Sequence, residues 1–129
     1  MKKELQLEPI SSWAPTTNRP LIISGPCSAE TEQQVVTTAK QLAATGNVHV
    51  LRAGIWKPRT RPGQFEGMGL EGLNWLIQAK KETGLPVATE VANAAHVEAC
   101  LKLGVDILWV GAKQFYIDLG ERNFRFVIT

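Results

Sequence analysis

Residues 86–111 read PVATEVANAAHVEACLKLGVDILWVG, and the order of signals in that stretch decides the fold. Pro86 to Val91 reads as a strand. Asn93 is a helix N-cap, and the helix from Asn93 to Leu103 sets Val97, Cys100 and Leu101 on one face. Gly104 stops that helix. Asp106 to Val110 follows as a second strand, and its core, Ile107-Leu108-Trp109-Val110, is apolar enough for burial on both faces. Two strands joined through a helix form a βαβ unit, with parallel strands and a right-handed crossover.

The same order recurs upstream. Val48 to Ala53 reads as a strand, followed by a Gly/Pro-rich loop from Gly54 to Gly69. The next helix, Leu70 to Thr83, buries Leu73, Leu76 and Ile77 and ends at Gly84. Before these, Leu21 to Ser24 is a strand ending at Gly25-Pro26. Glu30 to Ala44 is a helix with Val35, Ala39, Leu42 and Ala43 on one face and Gly46 as its C-terminal cap. Residues 1–20 carry Pro9, Pro15 and Pro20 with little periodicity and read as an irregular leader. The alternation leaves two architectures open, an open doubly wound sheet or part of a (β/α)8 barrel. In both, chemistry belongs at the C-terminal ends of the strands. Cys27 follows the first strand, Arg52 to Thr60 follow the second, Glu90 ends the third and Lys113 follows the fourth.

Composition narrows the function classes. A chain of 129 residues is about one domain, and 44% hydrophobic with 20% charged residues is the balance of a soluble globular protein. No apolar run approaches the ~20 residues of a membrane helix. Met1-Lys2-Lys3-Glu4 has no apolar stretch behind it, so no secretory signal is expected and the cytoplasm is the default location. The net charge of +2 comes from 14 basic and 12 acidic residues; setting aside Arg52, Lys57, Arg59 and Arg61 leaves 10 basic residues against 12 acidic. The surplus is therefore local, which suits a small anion better than a nucleic-acid surface. Cys27 and Cys100 lack CxxC spacing and read as free thiols.

The local surplus is the run Lys57-Pro58-Arg59-Thr60, with Arg52 five residues upstream. Guanidinium gives bidentate contacts to phosphate, ammonium adds a point charge, and proline stiffens the loop so that less entropy is lost on binding. The plainer alternative is a solvated basic loop.

Three motifs then fall in order on successive units: Gly25-Pro26-Cys27-Ser28-Ala29-Glu30, Arg52-Ala53-Gly54-Ile55-Trp56-Lys57-Pro58-Arg59-Thr60, and Ala88-Thr89-Glu90-Val91. From about Arg19 to Ala112 the chain resembles the short class I type of 3-deoxy-D-arabino-heptulosonate 7-phosphate (DAHP) synthase, the type without an N-terminal regulatory extension. The resemblance implies a (β/α)8 TIM barrel, of which this chain covers about the first four β/α units. It implies condensation of phosphoenolpyruvate with erythrose 4-phosphate at the head of the shikimate route to aromatic amino acids. It also implies a divalent metal that polarises the aldehyde oxygen. By the same resemblance Cys27 is a metal ligand, the alternative being a packed thiol at a strand end. A thiolate suits Mn²⁺, Fe²⁺, Zn²⁺ or Co²⁺ better than Mg²⁺. Arg52 and Lys57 match the residues that hold phosphoenolpyruvate, with Lys57 also close to the aldehyde and so the catalytic candidate. Pro58, Arg59 and Thr60 belong to the loop that holds the erythrose phosphate, and Arg61 stands where the commoner loop has serine. Glu90 matches an acidic residue near the phosphoenolpyruvate site, the alternative being a structural salt bridge. Cys100 reads as core. His49, inside the second strand, and His96, near a helix start, read as structural or solvated. Trp56 shapes the binding loop, while Trp13, Trp75 and Trp109 read as packing residues.

The match breaks at the fourth strand. Where the family reads Gly-Ala-Arg, with the arginine on the phosphate of phosphoenolpyruvate, this chain has Gly111-Ala112-Lys113. Residues 113–129 do not align and read as a departure of the kind that a frameshift or splice leaves. The family's remaining ligands come from strands five to eight. A complete barrel takes roughly 200 to 250 residues, and four strands cannot close one. One thiolate does not hold a metal that expects about four ligands. Little or no synthase activity is therefore expected of this chain alone. Three alternatives stay open: a non-catalytic binder of phosphorylated ligands, a homo-oligomer pairing two sets of four strands, and the sister 3-deoxy-octulosonate 8-phosphate synthase.

Overall fold

The computed structural model describes residues 8–12, 20–57, 61–111 and 126–128. Apart from a short 3₁₀ turn at Ile10–Ser12, the elements run β1 (Ile23–Ser24), α1 (Glu32–Ala44), β2 (Val50–Arg52), α2 (Leu70–Thr83), β3 (Val87–Val91), α3 (Ala94–Leu103), β4 (Ile107–Val110) and β5 (Phe126–Ile128). The five strands form one sheet in sequence order, every neighbouring pair parallel. The expected alternation is thus present through β4. Its strands are shorter than the apolar runs suggested, because pairing starts only where two neighbours are in register. His49, expected inside the second strand, precedes it; its Nδ1 accepts a hydrogen bond from the Ile22 N–H at 2.9 Å. The sheet also continues past the expected four strands, since β5 lies within residues 113–129, to which the sequence reading gave no element.

Helix starts follow from side-chain capping. Thr31 has extended backbone and its hydroxyl accepts from the Gln34 N–H at 3.1 Å. Asn93 does the same for α3, accepting from the His96 N–H at 2.9 Å. Each cap satisfies a donor that the helix itself leaves orphaned. At the opposite end of the sheet, Asp106 braces two strands: one carboxylate oxygen accepts from the Val87 N–H, the other from Lys80 Nζ, both at 2.9 Å.

Strand phase sorts the core into two faces. Leu51, Ala53, Val87, Thr89, Val91 and Leu108 meet the helices, against Val35, Ala39, Leu73, Leu76, Ala79, Val97 and Cys100. Each large side chain buried there contributes about 1.5–3 kcal/mol. The other face carries Val50, Ala88 and Ile107 with half-buried Trp109. Arg52 and Glu90 share the alternation of that second face. Leu101 departs from the expectation: it is 38% exposed, because one residue beyond Cys100 it turns about 100° away from the buried stripe. The residues that crowd Val97 and Cys100 therefore leave it at the surface.

Candidate functional site

The C-terminal ends of β1, β2, β3 and β4 gather the candidate residues. Cys27 lies in the loop after β1, exposed, and this loop is latched from α1 by one side chain. Gln34 accepts from the Glu30 N–H at 2.8 Å and donates to the Ser28 carbonyl at 3.2 Å. The Ala29 N–H donates to the Gly54 carbonyl at 2.9 Å, tying the β1 loop to the one after β2. Gly25 makes this approach feasible: its φ is +151°, and a Cβ there would collide with the Arg52 carbonyl.

Lys57 reaches back from the β2 loop onto Cys27. Its Nζ donates to the Cys27 carbonyl and lies 3.3 Å from Sγ. Gly54 leaves the space, since a Cβ there would run into the Cys27 carbonyl and sit 2.7 Å from Lys57 Nζ. The loop folds back on itself to hold this pose: Trp56 bridges Gly67, and the Lys57 N–H donates to the Glu66 carbonyl at 2.7 Å. The lysine ammonium beside the sulfur lowers the Cys27 thiol below its ordinary range, chiefly by its hydrogen bond and then by its charge, with Arg52 adding less. Cys100 is the opposite case, buried and pushed up to about 12 by desolvation.

Arg52 leaves β2 toward the same point. Its Nη2 is 3.5 Å from the Cys27 carbonyl, and its Cζ stands 5.2 Å from the centre of the Trp109 ring. Its Nε is buried and has no hydrogen-bond partner among the described residues, as is also true of Ser28 Oγ. Glu90, in register with Trp109, fills the space over Gly111, where a Cβ would collide with its carboxylate. Pro58, Arg59, Thr60 and Lys113 lie outside the described residues, as does Trp13.

The structure therefore brings Cys27, Arg52, Lys57 and Glu90 to one end of the sheet, and it adds two residues to which the sequence reading gave only structural roles. Trp109 packs against Arg52 and not only against the core. His96 stacks on Trp56, ring centres 4.0 Å apart and planes 9° from parallel. Its Nδ1 accepts from the Ala92 N–H at 3.1 Å, so the ring proton sits on Nε2. The approach of Asn93 Nδ2 to Nε2 at 3.3 Å is then a contact between donors, not a hydrogen bond. Burial lowers the His96 pKa.

A metal does not fit the described residues. Cys27 is one donor, and the Lys57 ammonium already lies 3.3 Å from its sulfur. Among the described residues no three histidine, cysteine or carboxylate side chains group closely enough to hold an ion. No helix among them is long and apolar enough to cross a membrane.

The chain is similar to known proteins. The model of the DAHP synthetase I family matches residues 12–116. Phospho-2-dehydro-3-deoxyheptonate aldolase of Thermotoga maritima is 38% identical over 104 residues, covering 81% of this chain and 28% of that protein. A 2-dehydro-3-deoxyphosphooctonate aldolase of Syntrophotalea carbinolica is 34% identical over 102 residues, covering 74% of this chain and 36% of that protein. The crystal structure of the Thermotoga DAHP synthase superposes with a TM-score of 0.64 at 37% identity, over 72% of this chain and 27% of that one. A truncated form of the same synthase gives 0.60 at 35% identity, over 72% of this chain and 32% of that one. The chain thus spans about a quarter to a third of the length of these relatives. Its parallel sheet with alternating helices has the (β/α)8 barrel class of these neighbours, with five strands described where eight close a barrel. By the span of the matching family model and by its likeness to the Thermotoga synthase, the chain belongs to the DAHP synthetase I family.

Proposed function

We propose that the chain carries the phosphoenolpyruvate-binding end of a cytoplasmic DAHP synthase, a transferase that condenses phosphoenolpyruvate with erythrose 4-phosphate. The observation that supports this most is the convergence of Arg52 and Lys57 on Cys27 at the strand ends. An ammonium has three donors, and the Cys27 carbonyl and sulfur engage two of Lys57's, which leaves one for an anionic oxygen. The Arg52 guanidinium, which reaches the Cys27 carbonyl through Nη2 alone among the described residues, supplies further donors. A phosphate oxygen between them would meet both as charge-assisted hydrogen bonds. In this reading Lys57 is the catalytic candidate, held beside the reacting groups. Arg59 and Thr60 take the second phosphate with Pro58 stiffening their loop, Glu90 borders the first substrate, and Lys113 supplies a cation in place of an arginine. The family implies a divalent metal such as Mn²⁺ with Cys27 among its ligands. The described residues supply too few donors for it, and no step is derived through it. Synthase turnover by this chain alone is accordingly expected to be slight.

Protection of the Cys27 thiol tests the reading. Millimolar phosphoenolpyruvate slows alkylation of Cys27 by iodoacetamide, since the bound anion shields the sulfur and competes for Lys57. Pyruvate, without the phosphate, protects far less. An alkylation rate that phosphoenolpyruvate leaves unchanged contradicts the proposal. Coupled phosphate release with both substrates and Mn²⁺ tests the expectation of slight turnover, and a rate within tenfold of a full-length family enzyme contradicts it.

A further inference from the structure

Arg52 is held in an unusual way for a half-buried cation. Among the described residues no carboxylate pairs with its guanidinium. β2 and β4 are separated by β3, so the side chain crosses the neighbouring strand to bring Cζ within 5.2 Å of the Trp109 ring centre. The crossing runs over Ala88, which is Arg52's register partner and presents only a methyl group. Trp109 lies one pleat further along the same face, two residues beyond Ile107, the register partner of Ala88. Among the described residues the guanidinium reaches the Cys27 carbonyl through Nη2 only at the long limit of 3.5 Å.

We propose that Trp109 is a positioning residue for Arg52, holding the guanidinium by its ring face so that its N–H donors stay free for the phosphate or carboxylate of the ligand. The chemistry explains the choice of an indole. A carboxylate partner would engage two donors and cancel the charge that the ligand needs. A ring face attracts the same cation through its quadrupole and engages no donor at all. Nε of Arg52, buried and without a partner among the described residues, shows that the packing engages no donor there. Glu90, the carboxylate nearest in register, stands over Gly111 at the end of β4.

The proposal rests on the reading of Arg52 as a ligand-binding cation, and the experiment separates the two. Tryptophans carrying one, two and three ring fluorines are placed at position 109 of the full chain, which weakens the ring quadrupole while keeping its shape. Phosphoenolpyruvate affinity, measured by calorimetry, falls stepwise by about two- to thirtyfold across the series, while the melting temperature holds. A ligand-free arm follows the Arg52 Nε–H proton by NMR; it is shifted upfield by the ring and returns to the ordinary position in Trp109→Leu. Flat affinity across the fluorinated series, with binding lost in Arg52→Gln, overturns the role of Trp109 and leaves the ligand reading standing. No binding by the unsubstituted chain overturns the ligand reading instead. In that event an Arg52 proton without the ring shift overturns the geometric claim as well, and a shifted one supports it.

Discussion

Replacing His96 tests how the binding loop is held. The imidazole stacks on Trp56, next to Lys57, and its Nδ1 accepts from the half-buried Ala92 N–H. His96→Ala removes the stack, worth about 0.5–1.5 kcal/mol, and strands the Ala92 donor, a further ~1–2 kcal/mol at a site that water partly reaches. The loss is about 1.5–3.5 kcal/mol against a typical domain stability of ~5–15 kcal/mol. His96→Phe keeps the stack and loses only the acceptor, about 1–2 kcal/mol. The pH dependence carries its own sign. Burial lowers the His96 pKa in the folded chain, while the unfolded chain takes the proton near 6.5. The contribution is therefore whole above about pH 6.5, shrinks as pH falls below it, and is fully lost once pH drops through the lowered folded value. A stacked indole favours imidazolium by about 0.5–1 kcal/mol, but protonation costs the Ala92 hydrogen bond as well as the burial, so the neutral form wins. Urea unfolding followed by circular dichroism at pH 7.5 and in steps to pH 5 measures both effects. A change under about 0.5 kcal/mol in His96→Ala, or the same acid-side loss of stability in His96→Phe as in the parent, would refute the reasoning.

Other outcomes follow from the same geometry. Iodoacetamide at neutral pH labels Cys27 and spares Cys100, which is buried with its thiol near pKa 12, and Lys57→Met slows the Cys27 reaction; peptide mass mapping that finds equal labelling sinks this. Gly54→Ala forces Lys57 away from Cys27, so it slows Cys27 alkylation and costs about 1–3 kcal/mol by overpacking; unchanged reactivity would mean that the lysine does not depend on that gap. Thr89, fully buried, donates to the Ala53 carbonyl at 2.8 Å, and Thr89→Val leaves that acceptor unmet at about 1–3 kcal/mol; a neutral result in urea would show that water replaces the hydroxyl.

Much of this was legible in the sequence because local chemistry and tertiary packing agreed. Leu70–Thr83 is both amphipathic and ended by Gly84, so the expected and observed helix coincide. Asn93 was readable as a cap because its side chain acts on a backbone donor three residues away. The (β/α) order and the strand-end placement of Cys27, Arg52 and Glu90 followed from alternation alone. What stayed hidden depends on partners distant in sequence. Trp109 reads as core from its apolar neighbours, and only strand register puts it beside Arg52. The signal existed in the period of two that joins Val50 with Arg52, Ala88 with Glu90, and Ile107 with Trp109. His96 reads only as structural or solvated, because nothing local reveals that Trp56 lies over it. The short run Phe126–Ile128 is β-branched and apolar, but without a helix signal before it the strand pattern gave no reason to join it to the sheet.

Calorimetric titration of phosphoenolpyruvate into the chain, beside Arg52→Gln and Lys57→Met, tests the central claim most directly. The account predicts saturable binding by the parent chain, weakened at least tenfold by either substitution, with pyruvate binding no better to the parent than to the variants. Binding that is absent from the parent, or that survives both substitutions undiminished, would contradict it.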